Sequence, residues 1–187
     1  MKILIFSASP NSDGLTAACA AAALNGITAV GGEAEEVRLN DLSIGACEAC
    51  NRGWGSCQED HLCEVLDDFQ ALHKRTLLAD GYVFVTPVYW GDLSESMKSF
   101  TDRLRRCEAT RGVESGLANK PVIMVAAAGG SGNGMITTLA SQERWIQHLR
   151  ARKWDFIPVN RWNRPYKLQT IRAAASAMTS ELQERNA

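Results

Sequence analysis

The chain has 187 residues, 45% hydrophobic and 22% charged, with 20 Lys+Arg against 21 Asp+Glu and a formal net charge of −1. A chain of this length buries about 70% of the surface it exposes when unfolded, so a single domain with one core, needing no disulfide staples, is expected over residues 1–187. Near-neutral charge leaves no basic footprint for nucleic acid, and no apolar run approaches the ~20 residues that span a bilayer, so neither partner is expected. The opening MKILIFSASP has too few apolar positions for a signal-peptide core, which points to the cytoplasm. Charge is nonetheless uneven: residues 1–70 hold three Lys/Arg and eleven Asp/Glu, residues 144–187 nine and three. Solvated faces of different elements account for this, with a basic end that attracts an anion as the sharper reading.

In chain order, Lys2 to Ser7 (KILIFS) reads as a strand buried on both faces. An Ala-rich helix follows over Thr16 to Leu24, which GITAVGG is expected to break, and EAEEVRLN from Glu33 is a more polar strand near an edge. Asp41 to Cys63 reads as a long polar loop, an insertion before a helix carrying Val65, Phe69 and Leu72. Tyr82 to Thr86 is the third strand. The next helix places Leu93, Met97, Phe100 and Leu104 on one stripe. Pro121 opens a fourth strand, VIMVAAA, and its helix carries Met135, Leu139, Gln142, Ile146 and Leu149. Trp154 to Val159 is a short fifth strand, and Leu168, Ile171, Ala175, Met178 and Leu182 mark the last helix. Alternation of this kind predicts an α/β fold, a flavodoxin-like doubly wound five-stranded parallel sheet in the order 2-1-3-4-5.

In such a sheet the loops after strands one, three and four meet at the ligand crevice. The first, SASPNSDGLT, offers hydroxyls and a helix N-terminus, material for a phosphate or for a plain capped turn. The second, TPVYWGDLSESMKSF, sets two aromatics beside Pro and Gly, which suits a flat heterocycle, a subunit contact, or both. The third, AAAGGSGNGM, removes side chains where something must approach the backbone.

With these three loops the chain resembles the NADPH-dependent FMN reductases and iron-sulfur-flavoprotein-like members of the flavodoxin superfamily. The resemblance implies that Ser9, Asn11, Ser12 and Thr16 hold an FMN phosphate. It sets Pro87, Val88, Tyr89, Trp90 and Gly91 along one side of the ring and Gly129, Gly130, Gly132 and Asn133 along the other. Asn11 and Ser12 stand where many members carry Arg or Lys. The implied activity is hydride transfer from NAD(P)H to flavin and on to a small acceptor (quinone, azo or nitro compound, or another flavin) by a homodimer or homotetramer. An electron-transfer protein without NAD(P)H turnover is the alternative. The flavin carries the chemistry, so no catalytic acid or base is assigned. His61, His73 and His148 read as solvated or packing residues, as do Cys19 and Cys107.

Four further cysteines, Cys47, Cys50, Cys57 and Cys63, fall within the polar loop. Iron-sulfur flavoproteins carry a compact four-cysteine motif in this region, with the third cysteine two residues after the second; here NRGWGS intervenes. Bare thiols, an iron-sulfur cluster and a zinc knuckle all remain open.

Overall fold

The structure, a computed structural model, describes residues 1–185. Five parallel strands, β1 (Lys2–Ser7), β2 (Glu33–Arg38), β3 (Gly81–Pro87), β4 (Pro121–Ala128) and β5 (Arg152–Asn160), pair in the order β2-β1-β3-β4-β5. Five helices connect or follow them: α1 (Leu15–Ala29), α2 (Phe69–Leu78), α3 (Glu95–Glu108), α4 (Met135–His148) and α5 (Arg164–Arg185). The flavodoxin-like sheet order read from the sequence is the one observed.

Side chains alternate across the sheet as the pleat requires. Ile3, Ile5, Val83, Val85, Ile123 and Val125 pack with α1 and α5. Leu4, Phe6, Tyr82, Phe84, Val122 and Met124 face the other way, toward α2, α3 and α4. The strands are apolar at nearly every position because both faces are covered. The two edge strands, β2 and β5, are the exceptions and keep charged residues, and Lys2 and Arg75 pair with Glu35 of β2.

Two helices differ from expectation. The first runs through GIT to Ala29 instead of stopping at Leu24. Gly26 is not a breaker here: a Cβ at that position would sit 2.3 Å from the Arg172 carbonyl oxygen, so glycine lets α1 and α5 approach backbone to backbone. Ser176 Oγ then donates to the Gly26 carbonyl at 2.7 Å. The second helix begins at Phe69, not near Val65. Residues 64–68 form bends and a turn ahead of the helix, where polar groups are engaged: Gln70 donates to the Cys63 and Val65 carbonyls, and Asp67 Oδ1 accepts from the Phe69 amide at 2.9 Å.

Candidate functional site

The carboxyl ends of β1, β3 and β4 open on two adjoining clefts. At the first, β1 ends at Ser7 and the chain turns, Asn11 N–H donating to Ser9 Oγ at 3.2 Å, before α1 starts. The residue before α1 is Gly14, no side chain caps the helix, and its first turn contains no acid. The amides there are free for an anion, and the helix dipole favours one. Ser9, Asn11, Ser12 and Thr16 all line this cleft of about 180 Å³, as the sequence implies. Ser7, Glu36 and Arg38 line it too. Arg38 supplies a cation that the loop itself lacks, although Asp41 Oδ2 lies 3.2 Å from it. Glu36 opposes an anion, and its carboxylate is partly occupied by the Ser7 hydroxyl at 2.8 Å.

The second cleft, about 290 Å³, is walled by Val88, Trp90 and Gly91 on one side and Ser131, Asn133 and Gly134 on the other. The loop after β3 folds into a tight turn in which Tyr89 and Asp92 exchange backbone hydrogen bonds of 2.9 and 3.0 Å. Trp90 and Gly91 occupy its two central positions with φ of 54° and 79°, the signature of a type I′ turn. That conformation is strained for tryptophan, and Trp90 is fully exposed at the tip. Thr86 and Ser94 fix the base of the turn. The Ser94 amide donates to Thr86 Oγ1 at 3.1 Å, and Ser94 Oγ donates to the Ala8 carbonyl at 2.9 Å, tying this loop to the phosphate-type loop.

Across the cleft, Gly134 precedes α4 at φ 79°, and a Cβ there would meet Gly91 Cα at 2.7 Å. Thr137 Oγ1 hydrogen-bonds both the Gly91 and the Gly134 carbonyls, at 2.8 and 2.9 Å. Gly129 and Gly130 have open space where side chains would be. Gly132 lies beneath the Trp162 ring, 2.5 Å from where its Cβ would sit.

Of the residues expected along a ring, Val88, Trp90, Gly91 and Asn133 line this cleft directly. Pro87 ends β3, Tyr89 is half-exposed on the turn, and Gly129, Gly130 and Gly132 form the rest of the opposing loop. Arg38, Gly134 and Trp162 were not anticipated. The signal for Gly134 was present, as the fourth glycine of its cluster. Arg38 ends β2 and Trp162 follows β5, where spacing alone says nothing of a ligand. A hydroxyl-and-amide cradle and a cleft walled by two glycine-bearing loops fit a phosphate joined to a planar ring, which is the shape of FMN. A third hollow, about 340 Å³, runs between α3 and α4 from Asp92 and Leu93 of the loop after β3 to Lys98, Arg105, Arg144 and His148.

The cysteine loop packs elsewhere, against the later turns of α3. Arg103 lies nine residues beyond Ser94, roughly 13 Å along the helix. Cys47, Cys50, Cys57 and Cys63 border one small cleft of about 20 Å³ together with Arg103 and Arg106. Trp54 does not wall the ring cleft; it lies on the Arg106 guanidinium, 4.6 Å from ring centre to carbon. Ala49, Asn51, Arg52 and His61 all have positive φ, so the loop curls tightly. Burial first, and then the neighbouring Glu64 carboxylate, hold the Cys50 thiol above its ordinary pKa. Among the described residues no three His, Cys, Asp or Glu side chains gather closely enough to hold a metal ion. All six cysteines are free thiols, and Cys19 and Cys107 are buried packing residues with their pKa pushed up to about 12 by desolvation.

A mononuclear zinc needs four sulfurs each about 2.3 Å from one ion. A four-iron cluster binds each of its cysteines through a different iron, so those ligands stand farther apart than around one zinc. Four cysteine thiols bordering one cleft are the donor set that an iron-sulfur cluster takes.

The chain is 35% identical over 105 residues to an iron-sulfur flavoprotein of Methanocaldococcus jannaschii, covering 56% of this chain and 52% of that protein. It is 28% identical over 149 residues to an iron-sulfur flavoprotein of Methanosarcina thermophila, covering 78% and 73%. The chain therefore spans about half the length of the first of these relatives. Among solved structures, the NAD(P)H:quinone oxidoreductase from Methanothermobacter marburgensis superposes with a TM-score of 0.71 at 17% identity, over 95% of this chain and 96% of that one. The model of the NADPH-dependent FMN reductases matches residues 1–162, all three cleft loops included, and the chain belongs to that family of flavodoxin-like FMN oxidoreductases.

Proposed function

We propose that this protein binds FMN across the two clefts and uses NAD(P)H to reduce a small acceptor such as a quinone, an azo or nitro compound, or a second flavin. The observation that carries this is that the loop leading into α1 is tied by the Ser94–Ala8 hydrogen bond to the first of two glycine-bearing loops, which touch at Gly91 and Gly134. FMN, when bound, supplies the chemistry by accepting a hydride and returning electrons to the acceptor. The residues bind and orient it. Hydroxyls of Ser9, Ser12 and Thr16, the α1 amides and Arg38 hold the phosphate. Val88, Trp90 and Gly91 line one edge of the ring, and Ser131 to Gly134 line the other. Arg161, stacked 4.4 Å from the Trp162 ring, offers a cation to the phosphates of an incoming nicotinamide nucleotide.

We further propose that Cys47, Cys50, Cys57 and Cys63 hold an iron-sulfur cluster, which when bound exchanges single electrons. This cleft favours a second reading, in which the protein passes electrons to another redox protein without turning over NAD(P)H. The exposed Tyr89 and Trp90 suit a contact within a homodimer or homotetramer, and six free thiols suit a reducing compartment such as the cytoplasm. Among the described residues no helix is long and apolar enough to cross a membrane. The test is steady-state oxidation of NADPH and NADH by FMN-loaded protein with a quinone as acceptor. Turnover supports the reductase; FMN binding without turnover of either nucleotide favours electron transfer.

A further inference from the structure

Arg103 is among the largest fully buried side chains of the protein, with 1% of its surface exposed. Its guanidinium is fixed on several sides. One terminal nitrogen donates to the Gly45 carbonyl at 3.1 Å and to Asp67 Oδ2 at 2.6 Å, and the other donates to the Val65 carbonyl at 2.8 Å. Its flat face lies 4.4 Å from the Phe69 ring centre. Arginine has five N–H donors, and the one on Nε is both buried and without a partner. A donor held this firmly and left idle in the interior is costly unless something accepts from it.

The guanidinium borders the cleft that the four cysteines line, and Cys63 is the thiol beside it. The charge of Arg103 is already matched by Asp67. Glu48 and Glu64 border the cleft as well, and Arg106, the second cation there, donates to the Gly53 carbonyl. What Arg103 has to spare is therefore a directed N–H and not a net charge. Hydrogen bonds to the sulfurs are among the factors that set the potential of an iron-sulfur cluster, because they stabilise the more negative, reduced form.

We propose that Arg103 is a positioning residue for this cleft, donating its Nε–H to the sulfur of Cys63 and raising the reduction potential of the cluster. This rests on the reading that the four cysteines hold a cluster. The same architecture explains how the arginine is held in the interior: Asp67, Gly45 and Val65 take three of its four terminal N–H donors and fix the plane of the guanidinium.

The experiment uses the full chain purified without oxygen and reconstituted with iron and sulfide, as wild type, Arg103→Lys, and the double variant Arg103→Met with Asp67→Asn. Lysine keeps a cation for Asp67 while withdrawing the Nε–H; the double variant removes the ion pair altogether, so Asp67 is not left as an unpaired charge. Iron content, melting temperature and the cluster's midpoint potential from a dye-mediated titration are read for each. The proposal expects iron content like the wild type in Arg103→Lys and a midpoint potential shifted downward in both variants. Potentials equal to the wild type overturn it and leave Arg103 as an anchor of the loop. Loss of iron from both variants also overturns it, since one N–H donor is not a condition of assembly. Wild-type protein that takes up no iron and sulfide overturns the cluster reading itself, and this inference with it; the wild-type arm alone tells that failure from the others.

Discussion

A methyl group on Gly134 would lie 2.7 Å from the Cα of Gly91, so the two loops that wall the ring cleft touch through glycine backbone. The φ of 79° at Gly134 adds a cost of roughly 1–2 kcal/mol for any residue with a Cβ. Gly134→Ala is expected to push the loops apart and weaken FMN binding about tenfold or more, which corresponds to 1.4 kcal/mol or above. Quenching of FMN fluorescence on titration with apoprotein measures it, and far-UV circular dichroism should be unchanged.

Trp90 holds the left-handed conformation at φ 54° with its side chain in solvent. Strain of this kind at an exposed aromatic is retained where the side chain serves a ligand. Replacing it with asparagine, which tolerates that conformation, should raise stability by about 1 kcal/mol while lowering flavin affinity and turnover. A denaturant melt and an FMN titration on one preparation check the two opposite signs.

Arg38 is the cation lining the cleft proposed for the phosphate. Arg38→Met is expected to weaken FMN about fivefold to tenfold, an effect on the order of 1 kcal/mol for a partly exposed cation, and to leave riboflavin binding unchanged. Parallel titrations with the two flavins distinguish this from a general disturbance of the cleft.

Glu108 is fully buried, and its two carboxylate oxygens accept from different donors. His73 Nε2 meets Oε1 at 2.8 Å, while the Gly116 amide donates to Oε2 at 2.7 Å. Burial alone would raise this carboxyl's pKa, but the hydrogen bonds from His73 and Gly116 outweigh it, and the folded value lies below the ordinary 4.5. A depressed folded pKa means that the stabilisation is complete above the unfolded value and is lost as pH falls through the folded one. Glu108→Gln turns one acceptor into an amide facing the Gly116 N–H and should cost roughly 3 kcal/mol at neutral pH. The difference from wild type should narrow in acid, below the usual carboxylate range, as followed by urea unfolding at several pH values.

Strands one, three and four were legible because both faces are covered, which turns Ile3 to Phe6, Tyr82 to Val85 and Val122 to Ala127 into unbroken apolar runs. The cleft loops were legible for the complementary reason: hydroxyls, paired aromatics and glycines have little use at a strand's end except around a ligand. What escaped was set by tertiary context. Gly26 locally favours a turn over a helix, and only the close approach of α5 makes the helix the better place for it. Arg38 sits in a strand of alternating charges that reads as a solvated edge, and nothing local says that its last residue bends over the phosphate cradle. Trp162 lies beyond β5, outside the three loops that the topology singles out. The cysteines were conspicuous, but their place along the later turns of α3 depends on Arg103 anchoring residues 45, 65 and 67, a contact across 36 to 58 positions.

The central claim is that a nicotinamide nucleotide hands its hydride to FMN held in this chain. Anaerobic titration of the FMN-loaded protein with NADPH and then NADH tests it without an added acceptor. Stoichiometric loss of the flavin's visible absorbance with at least one nucleotide is the predicted result. A spectrum that neither nucleotide changes, in protein whose flavin dithionite still bleaches, would contradict it.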